Sequence, residues 1–298
     1  MKILLLGKDG QLGWELQRAL APLGEMVACG HGEADLENLD ALRKRVRHES
    51  PQIVVNAAAY TAVDKAESEP ERAHRINAAA VGLLAEECKR LNAWLIHYST
   101  DYVYDGTKAV FYTEDDAPNP ASVYGQTKLQ GEQAIRGSGC HHLIFRTSWV
   151  YAALGANFAK TMLRLAKERD ELKVVSDQHG APTSAELIAD VTALCLYRVQ
   201  NDPLLAGTAS GTYHLVAAGE TSWHGYAQYL IAEGNRLNMS LRITADKILP
   251  ITTSDYPLPA KRPANSRLST EKLQKTFGVV LPDWKVGVAR LVREIVGS

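Results

Sequence analysis

A phenol and a primary amine stand one helical turn apart in Tyr124-Gly125-Gln126-Thr127-Lys128. On a helix that spacing projects both from the same face. A neighbouring ammonium favours the phenolate, so Lys128 is expected to draw the Tyr124 pKa down from its usual value of about 10. A phenol tuned that way can give a proton to, or take one from, a carbonyl or alcohol oxygen. Upstream, Ser99-Thr100-Asp101-Tyr102 offers two hydroxyls, and either Ser99 or Thr100 could hydrogen-bond the same oxygen. Tyr-x-x-x-Lys alone also fits an exposed helix with an ordinary aromatic and a solvated lysine, so its surroundings must decide.

Those surroundings read as a parallel α/β sheet. Lys2 to Leu6 is a short apolar run that breaks into Gly7-Lys8-Asp9-Gly10-Gln11-Leu12-Gly13, after which Leu12, Leu16, Leu20 and Leu23 recur at helical spacing. Strand, glycine turn and helix form the context that a dinucleotide phosphate-binding turn requires. Gly7 permits the tight turn, Gly10 lets a pyrophosphate approach the backbone beside Gln11 and Leu12, and Gly13 lets helix pack against strand. The helix N-terminus adds amide donors and partial positive charge. Met26 to Cys29 reads as the second strand, and it runs into Gly30 and His31 where NAD-binding units carry an acid. With no carboxylate at that position and His31 able to approach a 2′-phosphate, the cofactor tilts towards NADPH, with NADH still possible. Asp35 and Leu36 are placed beside the adenine. His31, Glu33, Asp35 and Glu37 could in principle bind a metal, but they fit a solvated loop better.

Ile53-Val54-Val55-Asn56 is a buried third strand, and the small side chains of Ala57-Ala58-Ala59 would let a flat ring or ribose lie on the backbone. A helix runs through Ile76, Ala80, Leu83, Leu84 and Leu91. Trp94 to Tyr98 then delivers Ser99-Thr100-Asp101-Tyr102 at a strand's carboxyl end, where open parallel sheets hold ligands. Leu143-Ile144-Phe145-Arg146 is a fifth strand, ending near Trp149. Glycine turn, alanine loop, hydroxyl loop and Tyr/Lys helix therefore share one edge. Beyond Trp149 the alternation is less regular. Leu172 to Val175 reads as a strand, Leu187 to Leu194 as a helix, and Gly211 to Val216 as a strand able to rejoin the sheet. Thr221-Ser222-Trp223 opens a helix, Ser269 caps a short one, and Trp284, Val288, Leu291 and Ile295 stripe the last. The expected fold is α/β: a Rossmann-type doubly wound parallel sheet with a smaller mixed α/β C-terminal substrate domain. Residues 1–149, joined by 184–217, make the dinucleotide-binding domain; 150–183 and 218–298 make the substrate-binding domain.

Composition narrows the class. Hydrophobic residues are 46% and charged residues 22% of the 298, which excludes a disordered chain. A formal net charge of −1 gives no basic footprint for nucleic acid or a membrane surface. Ile3-Leu4-Leu5-Leu6, cut by Gly7, is too short for a signal-peptide core or a membrane span. Cys29, Cys88, Cys140 and Cys195 show no metal spacing and read as buried thiols in a reducing compartment, the cytoplasm by default.

Taken together the motifs resemble the extended short-chain dehydrogenase/reductase superfamily and, within it, the dTDP-4-dehydrorhamnose reductases. The resemblance spans nearly the whole chain. Besides the glycine turn and Tyr124–Lys128 it rests on Asn56-Ala57-Ala58-Ala59-Tyr60-Thr61-Ala62-Val63-Asp64, Phe145-Arg146-Thr147-Ser148-Trp149-Val150-Tyr151, Asp177-Gln178-His179-Gly180-Ala181-Pro182-Thr183 and Arg262-Pro263-Ala264-Asn265-Ser266. It implies hydride transfer from NADPH or NADH to C4 of dTDP-4-dehydro-L-rhamnose, giving dTDP-L-rhamnose for cell-surface polysaccharide (lipopolysaccharide, O-antigen) synthesis. Tyr124 would protonate the C4 oxygen, Lys128 would hold the nicotinamide ribose, and Thr100, or else Ser99, would polarise the carbonyl. Asp101, Tyr102 and Trp149 would contact the sugar, and Arg262 the diphosphate. Trp149 equally fits a core aromatic, and Arg262 a surface arginine. The resemblance also implies a Mg²⁺-dependent homodimer with glutamates from both chains at the interface, matched here by Glu15, Glu186 and Glu294, residues that equally fit solvent-facing helix charges. Two rival readings share these motifs: a redox-neutral nucleotide-sugar epimerase or dehydratase, and a non-catalytic dinucleotide-binding regulatory subunit.

Overall fold

The computed structural model describes residues 1–297. Its centre is a parallel sheet of β1 (Lys2–Leu6), β2 (Glu25–Cys29), β3 (Ile53–Asn56), β4 (Trp94–Thr100), β5 (His141–Thr147) and β6 (Gly211–His214). The spatial order is β2-β1-β3-β4-β5-β6. The chain steps outward from β1 to β2, then returns across β1 to lay down β3. The winding therefore reverses between β1 and β3, and a crevice opens there at the carboxyl ends. Register makes those ends level: Leu6 stands opposite both Cys29 and Asn56. The glycine turn and the alanine loop consequently leave the sheet side by side. As expected, β6 rejoins the sheet beside β5.

The longer helices are α1 (Gln11–Leu20), α2 (Leu39–Glu49), α3 (Ala80–Leu91), α4 (Val123–Ser138), α5 (Phe158–Glu168), α6 (Ala185–Asn201), α7 (Trp223–Arg236) and α8 (Trp284–Gly297). Successive strand residues face opposite ways. Ile3, Leu5, Ile53, Val55, Ile96 and Phe145 pack under α1 and α6, together with Leu273 and Phe277. Leu4, Leu6, Val54, Leu95 and Ile144 pack under α2 and α3. Both faces are covered, which is why these strands read as unbroken apolar runs. A separate core forms from Tyr151, α5, α7 and α8, with Leu172 and Val174 beneath. The strand Leu172–Val175 pairs there with Ile248–Ile251.

Two local features differ from the sequence reading. The helix through Ile76 contains a wide π turn at Arg75–Ala79. That turn sends Asn77 inward, where its amide bonds both Tyr60 N (2.9 Å) and Tyr60 O (3.0 Å) and reaches Thr127 Oγ1 (3.2 Å). The second is the short helix Glu271–Phe277, whose N-cap is Thr270, not Ser269. Ser269 Oγ lies 3.5 Å from Glu271 N, at the outer limit of a hydrogen bond, so it gives little capping.

Candidate active site

The crevice is a cleft of about 730 Å³ that runs from Gly7 and the alanine loop to Tyr124 and Trp149. At its base, Gly7 turns with φ +86°, and a Cβ there would lie 2.7 Å from Ala58 N. A Cβ on Gly13 would lie 1.9 Å from Gly7 O, so only glycine lets α1 sit this close to the turn. Gly10 is the N-cap of α1 and supplies no side-chain acceptor. The first amides of α1 are therefore unsatisfied and face the cleft beside Gln11 and Leu12, a fit for a pyrophosphate. Gln11 Oε1 accepts a hydrogen bond from Asn157 Nδ2 (2.9 Å), which ties the turn to the start of α5.

At the far end, His31, Asp35 and Leu36 line the cleft with Ala57, Ala58 and Ala59. His31 Nδ1 is 3.6 Å from Asp35 Oδ1. Gly30 carries no side chain, and two carboxylates stand near it from elsewhere in the chain. Glu33 Oε2 accepts the Gly30 N–H (2.7 Å), and the Asp9 carboxylate lies against Gly30 from across the turn. Glu33 also pairs with Lys8, and Glu37 with Arg72. The loop acids are thus committed to cations, and no cluster of three metal-ligating side chains forms among the described residues.

At the catalytic end, Ser122 caps α4, its Oγ accepting from Gly125 N (3.2 Å), and this places Tyr124 in the first turn. Gly125 is needed because a Cβ there would lie 2.2 Å from Tyr102 O. Tyr124 meets Tyr102 edge to face at 5.6 Å. The expected lowering of its pKa does not occur. Burial first and the Asp101 charge second push the phenol up to about 12, against a hydrogen bond from Thr100 that pulls it down. Lys128 is instead drawn to the sheet, where Nζ donates to Tyr98 O (2.6 Å) and lies 3.3 Å from His97 Nε2. Burial lowers its pKa to about 8.

The two candidate hydroxyls separate clearly. Ser99 Oγ donates to Glu132 Oε1 (2.6 Å), and Glu132 is held in turn by Arg146 Nη2 (2.6 Å) and Nε (2.9 Å). Thr100 Oγ1 donates to Asp101 Oδ1 (3.0 Å) beside the phenol. Asp101 is 2% exposed and burial raises its pKa to about 6. The nearby Ser266 hydroxyl draws the pKa down against that burial.

Trp149 lines the cleft and also stacks on Trp223 at 3.8 Å and 17°. Its φ of +49° is unusual for a large side chain and marks a strained turn. Arg262 Nη2 is bound to Asp64 Oδ2 (2.7 Å) next to Tyr102, outside the residues that line the cleft. Gly13 lies behind the turn. Glu15, Glu186 and Glu294 do come together, around a second cleft, but with two arginines between them. Arg290 pairs with Glu186 (2.6 Å) and Glu294 (3.1 Å), and Arg18 with Glu15 (3.3 Å). Within one protomer that set does not fit a cation. Sequence reasoning missed Asp9, Asn77 and the Glu132–Arg146 pair. Arg146 inside the apolar run Leu143-Ile144-Phe145 was the one available signal, since a buried guanidinium demands a partner.

Sheet order, the glycine turn at its reversal and the Tyr/Lys helix beside it define the class, an extended short-chain dehydrogenase/reductase. The family described as RmlD substrate binding domain matches residues 1–296. The chain is 52% identical over 303 residues to a dTDP-4-dehydrorhamnose reductase of Escherichia coli K12, covering 99% of this chain and 98% of that one. A crystal structure of a dTDP-4-dehydrorhamnose reductase from Clostridium acetobutylicum superposes with TM-score 0.90 at 36% identity over 99% of this chain and all of that one. One from Bacillus anthracis, in complex with NADP, superposes with TM-score 0.86 at 32% identity over 98% and 99%. The chain belongs to the dTDP-4-dehydrorhamnose reductase family.

Proposed function

We propose that this protein reduces the C4 ketone of dTDP-4-dehydro-L-rhamnose to dTDP-L-rhamnose with NAD(P)H. The observation that carries the reading is the meeting of Tyr124, Thr100 and Asp101 in one cleft at the carboxyl edge, next to the glycine turn. The bound reduced dinucleotide supplies the hydride. Tyr124, protonated at neutral pH because its pKa is about 12, is the acid that gives the C4 oxygen its proton. Thr100 donates to the same oxygen and polarises the carbonyl. Asp101 accepts from a sugar hydroxyl and fixes the ring. Lys128, held by Tyr98 O, presents a cation to the nicotinamide ribose. Trp149 covers the sugar, and Arg262 releases Asp64 to grip the diphosphate.

Dinucleotide-free protein given dTDP-4-dehydro-L-rhamnose should consume NAD(P)H stoichiometrically, read by loss of its absorbance. Tyr124→Phe should lower kcat by about 10² or more while leaving dinucleotide binding within a few-fold. Conversion without net consumption would point to an epimerase or dehydratase, and binding without turnover to a regulatory subunit.

The proposal extends to organisation. The core of Tyr151, α5, α7 and α8 supports a substrate domain of 150–183 and 218–298, and the packing of α6 on the sheet supports 184–217 joining 1–149. The helix Glu271–Phe277 lies on the sheet side of that division. We place the protein as a homodimer in the cytoplasm; the four cysteines, all buried thiols, fit a reducing compartment. Among the described residues no helix is long and apolar enough to cross a membrane. Mg²⁺ between protomers would require Glu15, Glu186 and Glu294 to leave their arginines, and sedimentation with and without EDTA tests that.

A further inference from the structure

We infer that His97 is a positioning residue for Lys128: its ring proton, pinned on Nε2 by Asn56, favours the uncharged amine over the ammonium. The inference rests on the reductase reading above and deepens it. Asn56 and His97 are register partners on β3 and β4, and both are buried, as is Lys128. The chain of contacts starts in the alanine loop. Ala58 N–H donates to Asn56 Oδ1 (3.2 Å), so the other end of that amide, Nδ2, is the one that faces His97 Nδ1 (3.3 Å). An amide nitrogen only donates, and Nδ1 must therefore accept. Burial first, and the Lys128 charge second, keep the imidazole neutral, so it carries a single proton and that proton sits on Nε2. Nε2 in turn faces Lys128 Nζ at 3.3 Å.

An ammonium has three hydrogens and no lone pair, so it cannot accept from Nε2–H. The neutral amine can, and it still has a hydrogen for Tyr98 O (2.6 Å). For Lys128 to be charged, the His97 proton must shift to Nδ1, where it meets the Asn56 amide hydrogens, or the contact between His97 and Lys128 goes unmade. Either way one buried hydrogen bond is lost. Among the described residues, the charge that reaches Lys128 is the Glu132 carboxylate on its own helix, and Arg146 already binds that group. From the sheet, β4 presents only the Tyr98 carbonyl and the His97 ring. Burial and the imidazole thus act against the cation together, and Glu132 acts for it.

Nitrogen-15 spectra of the full-length protein labelled at histidine read the tautomer without turnover, with His97 assigned by its loss in His97→Gln. Well above the Lys128 pKa of about 8, the parent protein should carry the His97 proton on Nε2, and a proton on Nδ1 would overturn the inference. The pH dependence of kcat is the second readout. In His97→Gln the side-chain amide can turn its oxygen to the ammonium, so the alkaline limb should move up by about one pH unit or more, whatever the height of the plateau. Asn56→Asp gives the imidazole an acceptor at Nδ1, frees Nε2 to accept from Lys128, and should move the limb the same way. A limb unmoved in both variants would overturn the inference and leave the reductase reading standing. A parent protein that does not reduce the ketone would remove that reading, with the tautomer still decided by the spectra.

Discussion

The Tyr124 and Lys128 side chains show how little a spacing says about tuning. That the two residues share one cleft was legible from Tyr-x-x-x-Lys and its place after the hydroxyl loop. The direction of the Tyr124 shift was not, because it depends on which neighbour lies nearer and how dry the site is. Lys128 is tethered to Tyr98 O, and burial and Asp101 prevail at the phenol. The consequence is a pH dependence set by the amine. Lys128 is lowered to about 8, so its cationic form prevails below that pH and is lost as pH rises through it, while Tyr124 stays protonated to about 12. The rate of ketone reduction should therefore hold near neutrality and fall on an alkaline limb near pH 8. In Lys128→Arg, whose charge persists, the limb should vanish even if the plateau is lower. A pH–kcat profile of both proteins decides this. The hydroxyls give a second contrast. Ser99→Ala should keep kcat within a few-fold, because Ser99 faces Glu132, whereas Thr100→Val should lower it about 10²-fold in steady-state assays.

Elements were easier to read than residues. Apolar runs ending in Gly7, Asn56 and Thr100 gave the strands, since a sheet covered on both faces leaves no alternation to misread. The π turn at Arg75–Ala79 left no trace because it is an irregularity of backbone winding; its effect, Asn77 bracing Tyr60 and Thr127, exists only once two helices and a loop are together. The same is true of the brace beneath the hydroxyl loop. Glu132 on α4 and Arg146 on β5 are buried and mutually bonded, with Arg146 Nη1 also donating to Tyr104 OH (2.6 Å). Removing one charge leaves the other stranded in the core. Glu132→Gln should destabilise the fold by about 3 kcal/mol, seen as a lower urea midpoint.

For the molecule as a whole, the position of the main cleft followed from the order of strands, but the approach of Asp9 to Gly30 did not. Asp9 and Gly30 are separated by an entire α1 and β2, and only the level register of β1 with β2 brings them together. The gathering of Glu15, Glu186 and Glu294 was expected, but the arginines that divide them were not, since three helices must converge before Arg18 and Arg290 can intervene. One aromatic contact carries a further consequence. Trp149, just past β5, lies flat on Trp223, the first residue of α7. Two indoles that close behave as a single coupled chromophore, so the contact acts as a built-in optical gauge of how the end of β5 is seated on α7. Addition of dTDP should change the near-ultraviolet circular dichroism in the indole region, and Trp223→Phe should erase that response while the protein remains folded.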